Sequence, residues 1–542
     1  MAFSTATTEN ISEVYTGCLS GLSLSKKLYL ELTPPSEGDT MADRERLLYA
    51  LENQVDGPVS FPYSVLKRDY PAFRLDHWRV TVTLVFTGDG WQVSALEAGD
   101  TTAFHYGLAV DLGSTTVVMN LMDLNTGRII REEGCFNGQI SYGEDILTRI
   151  FHTQAGEAQK KELQEATVST FTGLMDRLTA HTGIDVSKSS VMVIGGNTTM
   201  IHFLLGIDAF PVFMSPFAPV FNDGGFIPGR ELSMPFEGLV YCIPSAANYL
   251  GGDILSGLLA VDMMKNEEIS LYIDIGTNGE MVIGSSEFLV AGAGAAGPAL
   301  EGGISRYGMR ADAGAVDSVS VKDGVFTVTT IGGEPIRGIC GSGIVDLLAQ
   351  LLLNGWMDLR GTLQPEQSER IVMKDGEPAV VYGWGACPGD GRSETADGED
   401  RYFTQSDILS FMDTKAAAST MVSCLLSETG FSPDDMDHIY MAGSFGKYLD
   451  LESAITIGLY PDVPRERFSC VGNGSLKGAC ALLADRRLFE KLARFIPNMH
   501  YLQFATVEDF VTQMQASKFF PHTNLDAYPT VKAKLLEAGV LK

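Results

Sequence analysis

Two stretches of this chain repeat one small pattern, and the repetition limits the folds open to it more than any other feature. Residues 106–133 read YGLAVDLGSTTVVMNLMDLNTGRIIREE, and residues 271–297 read LYIDIGTNGEMVIGSSEFLVAGAGAAG. Each begins with an apolar run that ends in an acid, Asp111 or Asp274, followed by a glycine and a hydroxyl residue. A second apolar run, a polar turn and a third run complete each copy, which predicts three consecutive antiparallel strands. The two acids lie much farther apart than the roughly 20–50 residues of a solenoid repeat, so the spacing suits a duplicated lobe. Two like lobes imply a cleft between them.

The repeated turns suit a phosphate chain. In Asp111-Leu112-Gly113-Ser114-Thr115-Thr116 and Asp274-Ile275-Gly276-Thr277-Asn278-Gly279-Glu280, the glycine lets the backbone turn tightly and the N–H groups of the turn can meet phosphate oxygens. A carboxylate at each strand end can hold Mg²⁺ directly or through water, because that ion takes one or two carboxylates and keeps several waters. Asp111 and Asp274 are therefore the expected metal and catalytic acids, with ATP the expected ligand. Gly113, Ser114, Thr115 and Thr116 are expected on the phosphates from one side, and Gly276, Thr277, Asn278 and Gly279 from the other. Asn278 and Glu280 are expected to align the attacking water.

Further glycine turns follow apolar runs. Residues 191–206 and 438–459 read as strand, glycine turn and helix, which makes each lobe α/β. Gly443, Ser444 and Phe445 lie in the second of these, where small residues let an adenosine rest near a helix start or simply close a tight turn. Gly341 and Ser342 precede the apolar run 344–353 and form a second candidate nucleoside loop. Gly195–Thr199 and Gly472–Ala479 are either hinges between the lobes or plain structural turns. Asp253 follows a glycine pair at the start of an expected helix. His202, on an apolar helix face, is expected to be a core residue.

The remainder frames these motifs. A tail or linker is expected over 1–26, and a small α+β middle domain over 27–104, with strands near 27–33 and 78–87 and a helix near 43–54 between them. An ATPase domain then runs over 105–542: lobe one over about 105–268, lobe two over about 269–480, and a helical segment over about 481–542. The segment 388–400 is polar and expected to be an exposed loop. With 39 basic against 68 acidic residues and a net charge of −29, extended contact with a phosphate backbone is excluded, so nucleic acid is not an expected partner. No apolar run reaches the roughly 20 residues of a membrane helix and the N-terminus has no leader pattern, so a cytoplasmic location with no membrane partner is expected. The eight cysteines are scattered, with Cys470 and Cys480 the nearest pair, so an iron–sulfur cluster is not expected in this chain.

Taken in order, Asp111–Val118, Asn137–Ile150, Gly196–Gly206, Pro244–Ile254, Asp274–Glu280, Gly297–Gly303, Gly308–Ala311, Gly338–Gly343, Ala442–Gly446 and Phe520–Pro529 resemble the ATP-dependent reductive activators of corrinoid proteins. These belong to the superfamily of acetate and sugar kinases, Hsp70 chaperones and actin (ASKHA). The resemblance implies duplicated ribonuclease H-like lobes in a two-lobed, actin-like and Hsp70-like α/β ATPase, preceded by the small domain. It also implies a role for Asp253, since kinases of this superfamily use an acid in this region to orient the attacking group; the bare residue pattern equally suits a helix cap. The implied activity is ATP-driven return of an oxidised cob(II)amide, carried on a corrinoid (cobalamin-binding) methyl-carrier protein, to cob(I)amide. Typical members carry a plant-type ferredoxin module or C-terminal cysteine motifs that this sequence lacks, so a separate electron donor protein is expected. A small-molecule kinase of the same superfamily, and a nucleotide-binding scaffold without catalysis, are the alternatives; a homodimer stays open.

Overall fold

The computed structural model describes residues 14–276, 278–295, 303–322, 324–387, 394–443 and 448–541. The backbone forms two compact units: the residues up to Asp262 together with Gly474–Met499, and Met263–Asn473 together with the residues from His500 onward.

The first unit opens with a small α+β domain. Strands β1 (Ser25–Glu31), β2 (Val59–Ser60), β3 (Arg79–Phe86) and β4 (Trp91–Ala98) form a sheet in the order β1-β3-β4-β2. Val80, Val82 and Leu84 alternate along β3 and pack with Leu47 and Leu51 of the helix Asp43–Leu51 and with Phe73. The strand–helix–strand order expected from the sequence is present, and β4 completes it.

A six-stranded sheet follows, made of β5 (Tyr106–Leu112), β6 (Thr116–Asp123), β7 (Arg128–Phe136), β8 (Val191–Gly196), β9 (Phe226–Pro228) and β10 (Leu239–Cys242), in the order β7-β6-β5-β8-β10-β9. Strands β5 to β7 run antiparallel to one another, and β8 and β10 continue parallel to β5. Every residue of β8 is buried, as a central parallel strand covered on both faces requires. Leu108, Val110 and Leu112 point to one face, where the 26-residue helix Glu157–Thr182 packs through Leu163, Phe171, Leu174 and Leu178. Gly107, Ala109 and Asp111 alternate to the other face. There a methyl group on Gly107 would touch Leu483, because the helix Gly474–Ala484 covers that side.

The second unit contains β11 (Ser270–Ile275), β12 (Asn278–Gly284), β13 (Leu289–Ala295), β14 (Ala315–Lys322), β15 (Val325–Thr330), β16 (Gly338–Ile339), β17 (Ile371–Lys374), β18 (Glu377–Gly383), β19 (Arg401–Thr404), β20 (His438–Ala442), β21 (Phe468–Gly472) and β22 (Met499–Leu502). Its main sheet has the order β21-β20-β11-β12-β13-β22. An antiparallel meander, β11 to β13, is again followed by two parallel strands, so β13-β12-β11-β20-β21 repeats β7-β6-β5-β8-β10. The duplication inferred from the paired turns therefore extends to strand order and direction. Two three-stranded sheets, β15-β14-β16 and β17-β18-β19, are added to this lobe. The long helix Gln405–Thr429 begins at a Thr404–Asp407 capping box and ends at Gly430. Its buried Lys415 donates to the carbonyls of Ser517 and Phe519, each at 2.9 Å, and to that of Pro521, fastening the C-terminal segment.

The division of the chain differs from the sequence expectation at its end. Residues 474–499 pack in the first unit and the residues from His500 onward in the second, where a single helical segment over 481–542 had been expected. The cause is helix packing. Gly478 lets the helix Gly474–Ala484 lie directly on the helix Gly252–Ala260, where a methyl group at 478 would overlap the Ser256 carbonyl, and Ser256 Oγ donates to Ser475 O at 2.6 Å.

Candidate functional site

The first acidic turn joins β5 to β6. Register places Asp111 opposite Val118 on one side and beside Gly195 on the other. The turn itself is held from behind. The carbonyls of Gly113, Ser114, Thr115 and Thr116 accept, in turn, from Asn137 Nδ2 (2.9 Å), Arg149 Nη1 (2.7 Å), Asn137 N (2.8 Å) and Gly113 N (3.0 Å). The N–H groups of Ser114 and Thr115 donate to no described residue. Two half-buried N–H groups without an acceptor among the described residues suit an anion, because such donors need an acceptor and a phosphate supplies several. Gly113 permits it, since a methyl group there would lie 2.6 Å from Thr116 O.

Asp253 stands next to this turn. It lies in the first turn of the helix Gly252–Ala260, whose N-cap is Gly251, and accepts from Ile254 N at 2.9 Å. Gly251 makes the approach possible: a methyl group there would overlap Asn197 Cα and lie 2.7 Å from Asp253 Oδ1. Burial pushes the Asp253 carboxyl up to about 6; the Ile254 N–H opposes this and the charge of Asp111 adds to it. Two neighbouring carboxylates with separated proton affinities can divide the work of holding a cation and taking a proton.

The second acidic turn has the same frame. Asp274 pairs with Glu280 across the β11–β12 hairpin and with Ala442 on parallel β20. Gly443, at φ +79°, presses on the acid, and a methyl group there would lie 2.8 Å from Asp274 Oδ1. Burial raises the hydroxyl pKa of Tyr460, and the charge of Asp274 adds to the rise, so this buried ring also lies near the acid. Gly276 and Gly279 flank the turn, and Gly276 has open space on its Cβ side. Thr277, Ser444, Phe445 and the side chain of Asn278 lie outside the described residues. Gly341 and Ser342 form the first turn of the helix Gly341–Leu353, whose buried Asp346 accepts from Val319 N at 3.3 Å.

The residues expected at the site thus fall into two clusters: Asp111, Gly113, Ser114, Thr115, Thr116 and Asp253 in one unit, and Asp274, Gly276, Gly279, Glu280 and Gly443 in the other. Sequence reasoning missed Asn137, Arg149 and Tyr460. Asn137 and Arg149 lie in the 137–150 motif, but nothing in the sequence says that an arginine on a short helix turns inward toward a loop some 35 positions earlier. His202 is buried, donates from Nδ1 to Thr198 O (2.7 Å) and stacks on Phe221.

Comparison with known proteins agrees with this geometry. Residues 268–532 match the C-terminal domain of RACo, the ASKHA domain; residues 106–266 match the RACo middle region and residues 22–103 the RACo linker region. The corrinoid activation enzyme RamQ of Eubacterium limosum is 30% identical over 424 residues, which span 77% of this chain and 70% of that protein. The chain belongs to the reductive activators of corrinoid proteins. A solved structure from this family, the reductive activator for corrinoid, iron–sulfur protein, is 34% identical with a TM-score of 0.83 and covers 94% of this chain and 81% of its own. The [Co(II) methylated amine-specific corrinoid protein] reductase of Methanosarcina barkeri is 23% identical over 441 residues, 75% of each chain. The small domain expected to be the family's middle domain instead matches its linker region, which begins at residue 22, and the middle region is the part containing the six-stranded sheet that bears Asp111.

Proposed function

We propose that this protein is an ATP-dependent activator that helps return a corrinoid protein from the Co(II) to the Co(I) state. The observation that carries the reading is the turn 113–116, with four carbonyls tied inward and two amides left for an anion beside Asp111, in a chain matched along most of its length by activator domains. In this reading the turn after Asp111 and the turn after Asp274 are each phosphate-binding elements for ATP, with Ser114 and Thr115 donating through their backbone. Asp111 and Asp274 would hold Mg²⁺, which supplies charge neutralisation of the phosphates; one carboxylate from each strand end suits an ion that takes few protein ligands. Asp253, with its raised proton affinity, takes the proton of the attacking water, and Glu280 lies across the hairpin from Asp274 to orient it. Gly443 gives adenosine close access to the backbone beside Asp274.

Reduction of Co(II) to Co(I) adds one electron, which a separate donor protein supplies. Nucleotide binding and hydrolysis supply a difference in binding free energy between two conformations of the activator, which is the only way a ligand can drive an unfavourable step in a partner. Each tenfold shift of the Co(II)/Co(I) equilibrium requires about 1.4 kcal/mol of that difference.

The test mixes the full chain with an oxidised corrinoid methyl-carrier protein, a low-potential reductant and Mg²⁺, with and without ATP, and follows the cobalt absorption bands. ATP-dependent appearance of the Co(I) bands supports the reading. Reduction equally fast without ATP, or ATP turnover that yields a phosphorylated metabolite, would overturn it, the latter in favour of a small-molecule kinase.

A further inference from the structure

The turn 113–116 rests on a cation that pairs with no anion among the described residues. Arg149, in the helix Ile146–Thr153, has no exposed surface. Its guanidinium donates to Ser114 O (2.7 Å) and Gly143 O (2.8 Å), reaches Gln139 Oε1 and Glu144 O at 3.4 Å, and touches Met200 Sδ. All of these partners are neutral. The one carboxylate whose charge it feels is Asp145, which forms no ion pair with it and is occupied by the N–H and hydroxyl of Thr148.

Arginine stays protonated in proteins, and burying a charge without its counter-ion costs several kcal/mol. Binding carbonyls does not require that expense, because a neutral glutamine amide donates two hydrogen bonds. The charge therefore has a use beyond bracing the loop. The amides of Ser114 and Thr115 lack an acceptor among the described residues; the Thr115 N–H lies on the opposite side of the peptide whose carbonyl Arg149 grips, and the Ser114 N–H opposite the Gly113 carbonyl that Asn137 Nδ2 holds. Drawing the Ser114 carbonyl inward orients the following N–H outward, so the cation and the amide dipole point their positive ends the same way.

We propose that Arg149 is a positioning residue for the polyphosphate of the nucleotide: it fixes the turn 113–116 with its amides outward and supplies a buried positive charge that is balanced only when phosphate occupies the turn. The proposal rests on the reading of this turn as the phosphate site. It makes nucleotide affinity depend on the number of phosphates through a residue that never touches them.

The test measures binding of the non-hydrolysable triphosphate AMPPNP with Mg²⁺, and of adenosine, to the full-length protein and to the variants Arg149→Lys and Arg149→Gln. Glutamine keeps donors without charge, and lysine keeps charge with fewer donors. Arg149→Gln is expected to weaken AMPPNP on the order of tenfold while leaving adenosine within about twofold, and Arg149→Lys to hold AMPPNP closer to the parent protein than glutamine does. Equal loss of both ligands in Arg149→Gln, or unchanged AMPPNP binding in a folded Arg149→Gln protein, would show a merely structural arginine. Failure of the parent protein to bind AMPPNP would instead remove the phosphate-site reading, and this inference with it.

Discussion

Replacing Gly443 by alanine tests the second acidic turn with one methyl group. Gly443 has φ +79°, and an L-residue held there costs roughly 1–2 kcal/mol. The added carbon would lie 2.8 Å from Asp274 Oδ1, whereas ordinary contact begins at 3.4 Å, so the carboxylate must retreat by about half an ångström. A misplacement of about 1 Å at a reacting centre costs on the order of 100-fold, and half that distance about tenfold. Gly443→Ala is therefore expected to lower ATP turnover by at least about tenfold, with the melting temperature down by roughly 2–8 °C. Gly183→Ala provides the control. Gly183 has φ +72° at the end of the helix Glu157–Thr182, with nothing within 4 Å of its missing methyl, so it pays the backbone cost without displacing a functional group. Steady-state phosphate release and thermal unfolding of both variants decide the matter. Gly443→Ala turning over like the parent protein, or Gly183→Ala losing as much turnover, would refute the argument that this contact positions Asp274.

Further outcomes are expected. Asp111→Asn and Asp274→Asn each abolish ATP turnover while leaving the far-ultraviolet circular dichroism unchanged; normal hydrolysis in both would remove these acids from the site. Turnover of the parent protein rises with pH through about 6 as Asp253 ionises, and Asp253→Asn loses both this limb and most activity. Because the folded carboxyl binds its proton more tightly than the unfolded one, near 3.9, this group's contribution to stability falls as pH rises from about 4 to 6; Asp253→Asn is expected to be more stable at pH 7 by up to about 3 kcal/mol, and equal or lower stability would contradict the burial argument. Gly478→Ala overpacks the contact with Ser256 and is expected to cost about 1–3 kcal/mol in chemical denaturation, a loss absent if the two helices separate freely. Lys415→Met leaves the carbonyls of Ser517, Phe519 and Pro521 without their donor, so amide exchange across residues 517–529 should accelerate while that of β5 and β8 does not.

The features legible in the sequence were those carried by local pattern. Strand alternation, acid–glycine turns and their repetition gave two like α/β lobes and a small domain before them, and the same turns bear the carboxylates of both clusters. Features that depend on distant packing were not legible. A small-residue helix such as Gly474–Ala484 carries no mark of which sheet it covers, and its proximity to β21 in the chain favoured the wrong neighbour. Of the segment 388–400, residues 388–393 lie outside the described residues and 396–399 are exposed as expected, yet Thr395 is buried and bridges to Ile336, and Asp400 accepts from Lys374 Nζ and Gly385 N. Polar composition could not distinguish solvated side chains from ones satisfied by the protein. Arg149 escaped for the same reason, since an inward-turned guanidinium is visible only once the carbonyls it serves are in place.

The return of residues 474–499 to the first unit has a consequence for how the gene can be divided. The family boundary near residue 267 looks like a natural cut, but a polypeptide ending there would expose the side of β5 and β8 that Leu483 and Ser475 cover, along with the glycine-lined flank of the helix Gly252–Ala260. The half ending there is not a self-sufficient module in the linear message. A premature stop anywhere before codon 474 would thus damage the part of the protein already synthesised as well as the part omitted, and a synthetic peptide spanning 474–499 is the natural candidate to rescue such a fragment in trans.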